Sequence, residues 1–177
     1  SASVWRFPGE QELVHSLTSE LSMDQLRDGA RALGLRLTTE HIAAFRTYYL
    51  KLVEWNSKFN LTAVTGYEDV QIKHFLDSLA CLLAIPAPGI AVGEPLPDVV
   101  PLSTAEAPRL CIDVGTGAGF PGLPLKILRP ALQMTLVDSS QKKVRFLEHL
   151  VPALGLSEVD CRWGRAEELG QDPHFRE

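Results

Sequence analysis

An α/β fold built on a parallel sheet is the class this sequence predicts, and three observations carry the prediction. From residue 109 onward, apolar runs of strand length alternate with helical patterns in the order strand, helix, strand, helix, strand. The first of these strands runs into Asp113 and then into a glycine-rich turn over 115–122, from which a helix starts. Doubly wound α/β domains receive adenosine-containing cofactors at such a turn. Residues 1–20 are weakly patterned, the rest of the part up to 85 carries helical patterns only, and the proline- and glycine-rich stretch 86–108 separates it from the alternating part.

The helices of the first part are marked by their ends and their periodicity. Ser22-Met23-Asp24-Gln25 has the form of a capping box, with Ser22 as N-cap and Gln25 reaching back. Leu26, Ala30 and Leu33 keep helical spacing as far as a stop at Gly34. A second helix is expected from Thr38 or Thr39, with Ile42, Phe45, Tyr49, Leu52 and Val53 on its apolar face and its end between Asn56 and Asn60. Thr65-Gly66-Tyr67-Glu68 is another capping box, followed by a helix with Ile72, Phe75, Leu76, Leu79, Leu82 and Leu83 on one face and Lys73, His74, Asp77 and Ser78 on the other. Eight prolines and glycines between Pro86 and Pro108 forbid a helix or a central strand there, so 86–108 reads as a surface linker.

In the second part the predicted strands are 110–114, 134–137 and 159–163. A helix over 123–128 is stopped by Pro130, and another is marked by Val144, Leu147, Leu150, Val151 and Leu154 with Gly155 as its stop. A loop is expected over 164–167. The organisation is then a helical extension over 1–85, a linker over 86–108 and the first half of a βαβαβ core over 109–177, with right-handed crossovers.

Bulk properties narrow the function classes. A length of 177 residues holds one ordinary domain with a small extension, and 45% hydrophobic residues describe a soluble globular chain. A net charge of −5 argues against general adhesion to nucleic acid, while leaving room for a local basic patch. Cys81, Cys111 and Cys161 form no C-x-x-C pair and read as buried thiols of a reducing compartment, so no metal is expected. There is no signal-peptide pattern and no apolar run of bilayer length, which points to a cytoplasmic protein without a membrane partner.

Two cofactor classes use a glycine turn followed by an acid at the end of the second strand. Gly117-Ala118-Gly119-Phe120-Pro121-Gly122 matches G-x-G-x-x-G, and Asp138 stands where a ribose-binding acid is expected. A dinucleotide-dependent oxidoreductase fits that pattern. Asp113 argues against it, because two charges ~4 Å apart at an effective dielectric of 20 interact by ~4 kcal/mol, and a pyrophosphate here would be repelled. S-adenosyl-L-methionine carries a sulfonium, an ammonium and a carboxylate but no phosphate. Asp113 then suits its cationic part, the N–H groups at the helix start its carboxylate, and Asp138 its ribose hydroxyls. Glycines such as Gly117 let the backbone approach such a ligand without a Cβ in the way.

Three further segments carry a family resemblance. They are Trp55-Asn56-Ser57-Lys58-Phe59-Asn60-Leu61-Thr62-Ala63-Val64, Lys73-His74-Phe75-Leu76-Asp77-Ser78-Leu79, and the glycine run continuing through Phe120-Pro121-Gly122-Leu123-Pro124-Leu125. Asp138-Ser139, Val144-Arg145-Phe146-Leu147 and Gly164-Arg165-Ala166-Glu167 continue the match. Over most of residues 20–170 the chain resembles the bacterial small-subunit ribosomal RNA methyltransferase G family, also called glucose-inhibited division protein B. The resemblance implies a Rossmann-like class I S-adenosylmethionine-dependent methyltransferase fold and methylation of N7 of one guanine in 16S rRNA, with the 30S subunit as partner. It also implies cofactor contacts from Gly115, Phe120, Asp138, Ala166 and Glu167.

Guanine N7 has a free lone pair and no proton to remove, so no catalytic nucleophile or general base is expected. Arg165, beside the cofactor loop, is the candidate for positioning the base or a phosphate; a solvated loop arginine is the equal alternative. His74, Asp77 and Ser78 share a helix face and read as a polar packing cluster against the cofactor turn, with Asn60 and Thr62 nearby. Lys126, Arg129, Lys142, Lys143 and Arg145 are read either as contacts to RNA phosphates or as charged solvent faces. Members of the family continue past Phe175 with a fourth strand beside the first, on the acceptor side, so the sheet is expected to be incomplete and the chain truncated. Such a chain is expected to bind cofactor weakly and methylate little RNA. An inactive RNA-binding remnant is the non-enzyme alternative.

Overall fold

The computed structural model describes residues 21–84, 109–169 and 171. The expected linker 86–108 lies outside the described residues. The first helices are α1 (Asp24–Ala32) and α2 (Thr39–Phe59). A third helical rod follows, made of α3 (Tyr67–Val70), a π-helical segment (Gln71–Leu76), α4 (Asp77–Ala80) and a 3₁₀ turn (Cys81–Ala84). The alternating part is β1 (Arg109–Val114), α5 (Gly122–Leu128), β2 (Leu132–Asp138), α6 (Gln141–Ala153), β3 (Val159–Trp163) and the short α7 (Ala166–Leu169).

α2 begins as the sequence predicts. Thr38 Oγ1 accepts from the His41 N–H, and His41 Nδ1 accepts from the Thr38 N–H, a capping box with histidine in the usual Glu position. It ends at Asn60 in the left-handed conformation (φ 48°). The other two expected boxes do not form. Met23 and Gly66 stand at the N-cap positions of α1 and α3, neither with a side-chain cap. In α1 the cap comes from another element: Gln71 Oε1 accepts from the buried Leu26 N–H at 3.2 Å. Met23 is fully buried, so the chain turns inward one residue later than the box required.

The buried faces differ in part from the expected ones. α2 buries Ile42, Phe45, Tyr48 and Leu52, while Tyr49 is half-buried and Val53 exposed. In the third rod the π turn takes an extra residue per hydrogen-bonded ring and rotates the helix. Gln71 and Ser78 therefore turn inward with Phe75 and Leu79, whereas Ile72 and Leu83 are exposed.

The three strands form a parallel sheet in the order β1-β2-β3, with Asp113 opposite Leu136 and Asp138 opposite Trp163. Successive right-handed crossovers in that order place α5 and α6 on one face. Burial agrees. Arg109, Cys111 and Asp113 alternate onto the partly covered face of β1, and Leu110, Ile112 and Val114 onto the exposed one. A single cluster of buried side chains runs from Leu26, Phe45 and Phe75 of the helical part to Leu123, Leu136 and Leu147 of the βαβ part.

Three further expectations are corrected. Lys126 and Arg129 are buried rather than solvent- or RNA-facing; the Lys126 ammonium donates to the carbonyls of Pro130 and Leu132, which close α5 onto β2. Cys81 is exposed, and Cys111 and Cys161 are only partly buried; burial pushes the Cys161 thiol up to about 11. The predicted loop 164–167 is already helical from Ala166.

Candidate functional site

The glycine turn is built on the ends of β1 and β2. The Gly115 and Thr116 N–H groups both donate to the Val137 carbonyl, at 2.8 and 3.0 Å, so the chain folds over β2 as it leaves β1. Gly115 has φ 75°, and a Cβ there would meet no atom within 4 Å, so its outer side opens onto free space. Gly119 is the opposite case. Its φ is 98°, and a Cβ would sit 2.5 Å from the Tyr48 hydroxyl and 2.8 Å from Leu123 Cδ1.

α2 is nailed to this turn by Tyr48. The fully buried Tyr48 hydroxyl donates to the Ala118 carbonyl at 2.6 Å, and burial pushes its pKa well above the ordinary phenol range, so it stays a donor. The Phe120 ring stacks on Tyr48 (centroids 5.2 Å apart, planes 4° apart) and on His74 (4.4 Å, 11°). His74 Nε2 lies 2.9 Å from Thr62 Oγ1, and Thr62 Oγ1 accepts from the Val64 N–H. Asn56 Oδ1 accepts from the Thr62 N–H at 2.8 Å. Of the polar cluster read around His74, His74 itself lies against the turn with Thr62 as its partner, while Ser78 donates to the His74 carbonyl, Asp77 is exposed, and Asn56 rather than Asn60 meets Thr62.

The two carboxylates divide the work. Asp113 Oδ2 accepts from the Thr116 hydroxyl at 2.7 Å and from the Gly122 N–H at 2.8 Å, tying both ends of the turn together. Desolvation raises its pKa, these two hydrogen bonds lower it, and Asp138 raises it further. The Gly122 N–H at the start of α5 is therefore taken by the chain's own carboxylate. This removes the expected helix-start site for a ligand carboxylate. Asp138 accepts from the Gly117 N–H at Oδ2 (2.9 Å) and from the Ser140 N–H at Oδ1 (2.8 Å), with Lys143 Nζ 3.9 Å from Oδ2.

A cleft of ≈ 370 Å³ opens at the C-terminal ends of the strands, where open parallel sheets bind ligands. It is lined by Gly115, Asp138, Arg165, Ala166 and Glu167, together with Val114, Val137, Ser139 and Gly164. Of the residues singled out in the sequence, these first five converge. Asp113, Gly117 and Phe120 are not among its lining residues; they brace the turn from behind and beside it. Tyr48 and Thr116, which hold the turn most directly, were missed. Tyr48 sits three residues after Phe45 as Tyr49 sits four after, and helical periodicity allows either.

The sheet order, the glycine turn and the cleft at the strand ends define a Rossmann-like core. Comparison with known proteins narrows this class. The family model described as rRNA small subunit methyltransferase G matches residues 97–176. Curated relatives carrying the name Ribosomal RNA small subunit methyltransferase G include one from Dehalococcoides mccartyi, 47% identical over 88% of this chain and 58% of its own length. Others come from Roseiflexus sp. (45% identical, 88% and 58%) and Pelotomaculum thermopropionicum (43% identical, 87% and 57%). Over the residues matched, the chain is similar to the rRNA small subunit methyltransferase G family. It spans about 58% of the length of the curated relatives it matches. Among the described residues, no helix is long and apolar enough to cross a membrane.

Proposed function

We propose that this chain holds the methyl-donor side of an S-adenosyl-L-methionine-dependent methyltransferase that modifies N7 of a guanine in 16S rRNA of the 30S subunit. The observation that carries the reading is the cleft. Gly115, Asp138, Ala166 and Glu167 come from the ends of three strands and line one space. The donor set fits the cofactor. Each Asp138 oxygen accepts one backbone N–H and keeps acceptor capacity for a ribose hydroxyl. Gly115 offers an open backbone cradle that a Cβ would fill. Ala166 and Glu167 border the position for the adenine. A dinucleotide fits less well, because the Asp113 carboxylate stands at the helix start, held there by the Gly122 N–H, and would repel a pyrophosphate.

When bound, the cofactor supplies an electrophilic methyl group on a sulfonium. The chain's own residues bind, orient and exclude water. Since N7 offers a lone pair and carries no proton, no side chain is required to act as a base. Exposed Arg165 at the cleft rim positions the base or a phosphate. Calorimetric titration of the chain with S-adenosylhomocysteine and with NAD tests the cofactor; preferential NAD binding would overturn the reading. Tritiated-methyl transfer to under-methylated 30S subunits tests the substrate. Arg165→Ala is expected to abolish transfer while leaving S-adenosylhomocysteine binding intact.

A further inference from the structure

We infer that His74 is a positioning residue for the cofactor turn, acting through Phe120 with Thr62 as its anchor. Phe120 sits between Gly119 and Pro121, so its ring fixes the C-terminal half of the turn. Three rings from the helical part pack on it: Tyr48 from α2 and His74 from the π-helical segment are stacked, and Phe75 from the same segment is tilted at 5.9 Å. Tyr48 is fully buried and locked by its own bond to Ala118. His74 is half-buried on a segment with i→i+5 geometry, and its ring orientation is set by the contact to Thr62 Oγ1 at 2.9 Å. Thr62 is in turn fixed by Asn56 and by the Val64 N–H. The π turn that brings His74 to Phe120 also brings Gln71 to α1, so the irregularity is anchored at both sides.

The same turn carries the Gly117 N–H that meets Asp138, so the position of Phe120 is passed to the cleft wall. The ring stack, rather than imidazole acid–base chemistry, is the working contact. It follows that a phenyl ring at position 74, which keeps the stack and loses the Thr62 anchor, replaces it in part, and an alanine does not.

The consequence for ligand binding rests on the cofactor reading above, and the test separates the two. Amide exchange of the ligand-free chain reads the turn directly. His74→Ala is expected to speed exchange over 115–120 about fivefold while leaving 132–138 unchanged, and His74→Phe to bring the rate to within about twofold to threefold of the parent. Equal exchange over 115–120 in the parent and His74→Ala overturns the inference, whatever the ligand. Titration with S-adenosylhomocysteine, under conditions where each variant is folded, reads the cleft. His74→Ala is expected to weaken binding about fivefold, and Thr62→Val and His74→Phe, which both keep a ring on Phe120 and lose the anchor, about twofold to threefold. Phe45→Leu, in the core of the helical part, serves as a control that lowers the melting temperature without changing affinity. Loss of affinity in Phe45→Leu equal to that in His74→Ala reduces His74 to a stability residue and overturns the inference. A parent chain that does not bind S-adenosylhomocysteine overturns the cofactor reading instead, and the exchange result still decides the role of His74.

Discussion

At the scale of single residues, the helical part and the glycine turn meet through a few polar atoms. The Tyr48 hydroxyl is the strongest of these contacts, because both it and Ala118 are buried. Tyr48→Phe keeps the ring stack and removes the donor, leaving a buried carbonyl without that partner. Urea denaturation is expected to show a loss of about 1–3 kcal/mol. Two histidines set a pH dependence. Burial lowers the pKa of His41 and of His74 in the folded chain, opposed by Glu40 and by Asp77 respectively. Below the ordinary value of 6.5 the unfolded chain then binds more protons than the folded one, so stability rises with pH across that window. It is complete above pH ~6.5 and falls as the solution is acidified through the lowered folded values. Protonation of His41 Nδ1 also removes the acceptor of its capping box. A series of melting temperatures between pH 7.5 and 5.5 is expected to decline in the parent. It should decline less in His41→Gln, which can still close the box, and less again with His74→Phe added. Identical slopes in all three would remove the histidines from the account.

At the scale of elements, caps and faces were legible where local chemistry decides and illegible where a distant side chain decides. The start of α2 at Thr38–Thr39, the Gly155 stop and the bounds of β3 follow from neighbouring residues, and they are where the pattern puts them. The cap of α1 does not, because a glutamine 45 positions away supplies it from a π turn that no periodicity announces. The contrast is measurable. Ser22→Ala is expected to change stability by no more than about 0.5 kcal/mol, as a side chain without a capping role should. Gln71→Leu leaves the Leu26 N–H buried and unpaired and is expected to cost about 1–3 kcal/mol. A larger loss for Ser22→Ala than for Gln71→Leu would restore the local box.

At the scale of the whole molecule, the helical part and the sheet share one core rather than touching as two. Trp55 of α2 packs on Phe146 and His149 of α6, and Tyr48 packs under the turn, so the helices complete the site instead of decorating it. We accordingly propose that the stretches before and after residues 86–108 unfold together. Far-UV circular dichroism and tryptophan fluorescence are expected to trace one coincident thermal transition; two separated transitions would contradict a shared core.

By itself the sequence determined the order of strands and helices, the parallel sheet, the turn between Asp113 and Gly122, and the family resemblance. These depend on periodicity, glycine placement and local motif, all of which are written along the chain. The tertiary structure alone decided what the two acids do. Asp113 turns its Oδ2 onto Thr116 and Gly122, because a half-buried carboxylate beside unpaired donors takes the nearest ones. It likewise decided that Tyr48 rather than Tyr49 reaches the turn, and that Lys126 and Arg129 point inward. Helical spacing leaves a choice of one residue, and only the packing partner on the other side makes it.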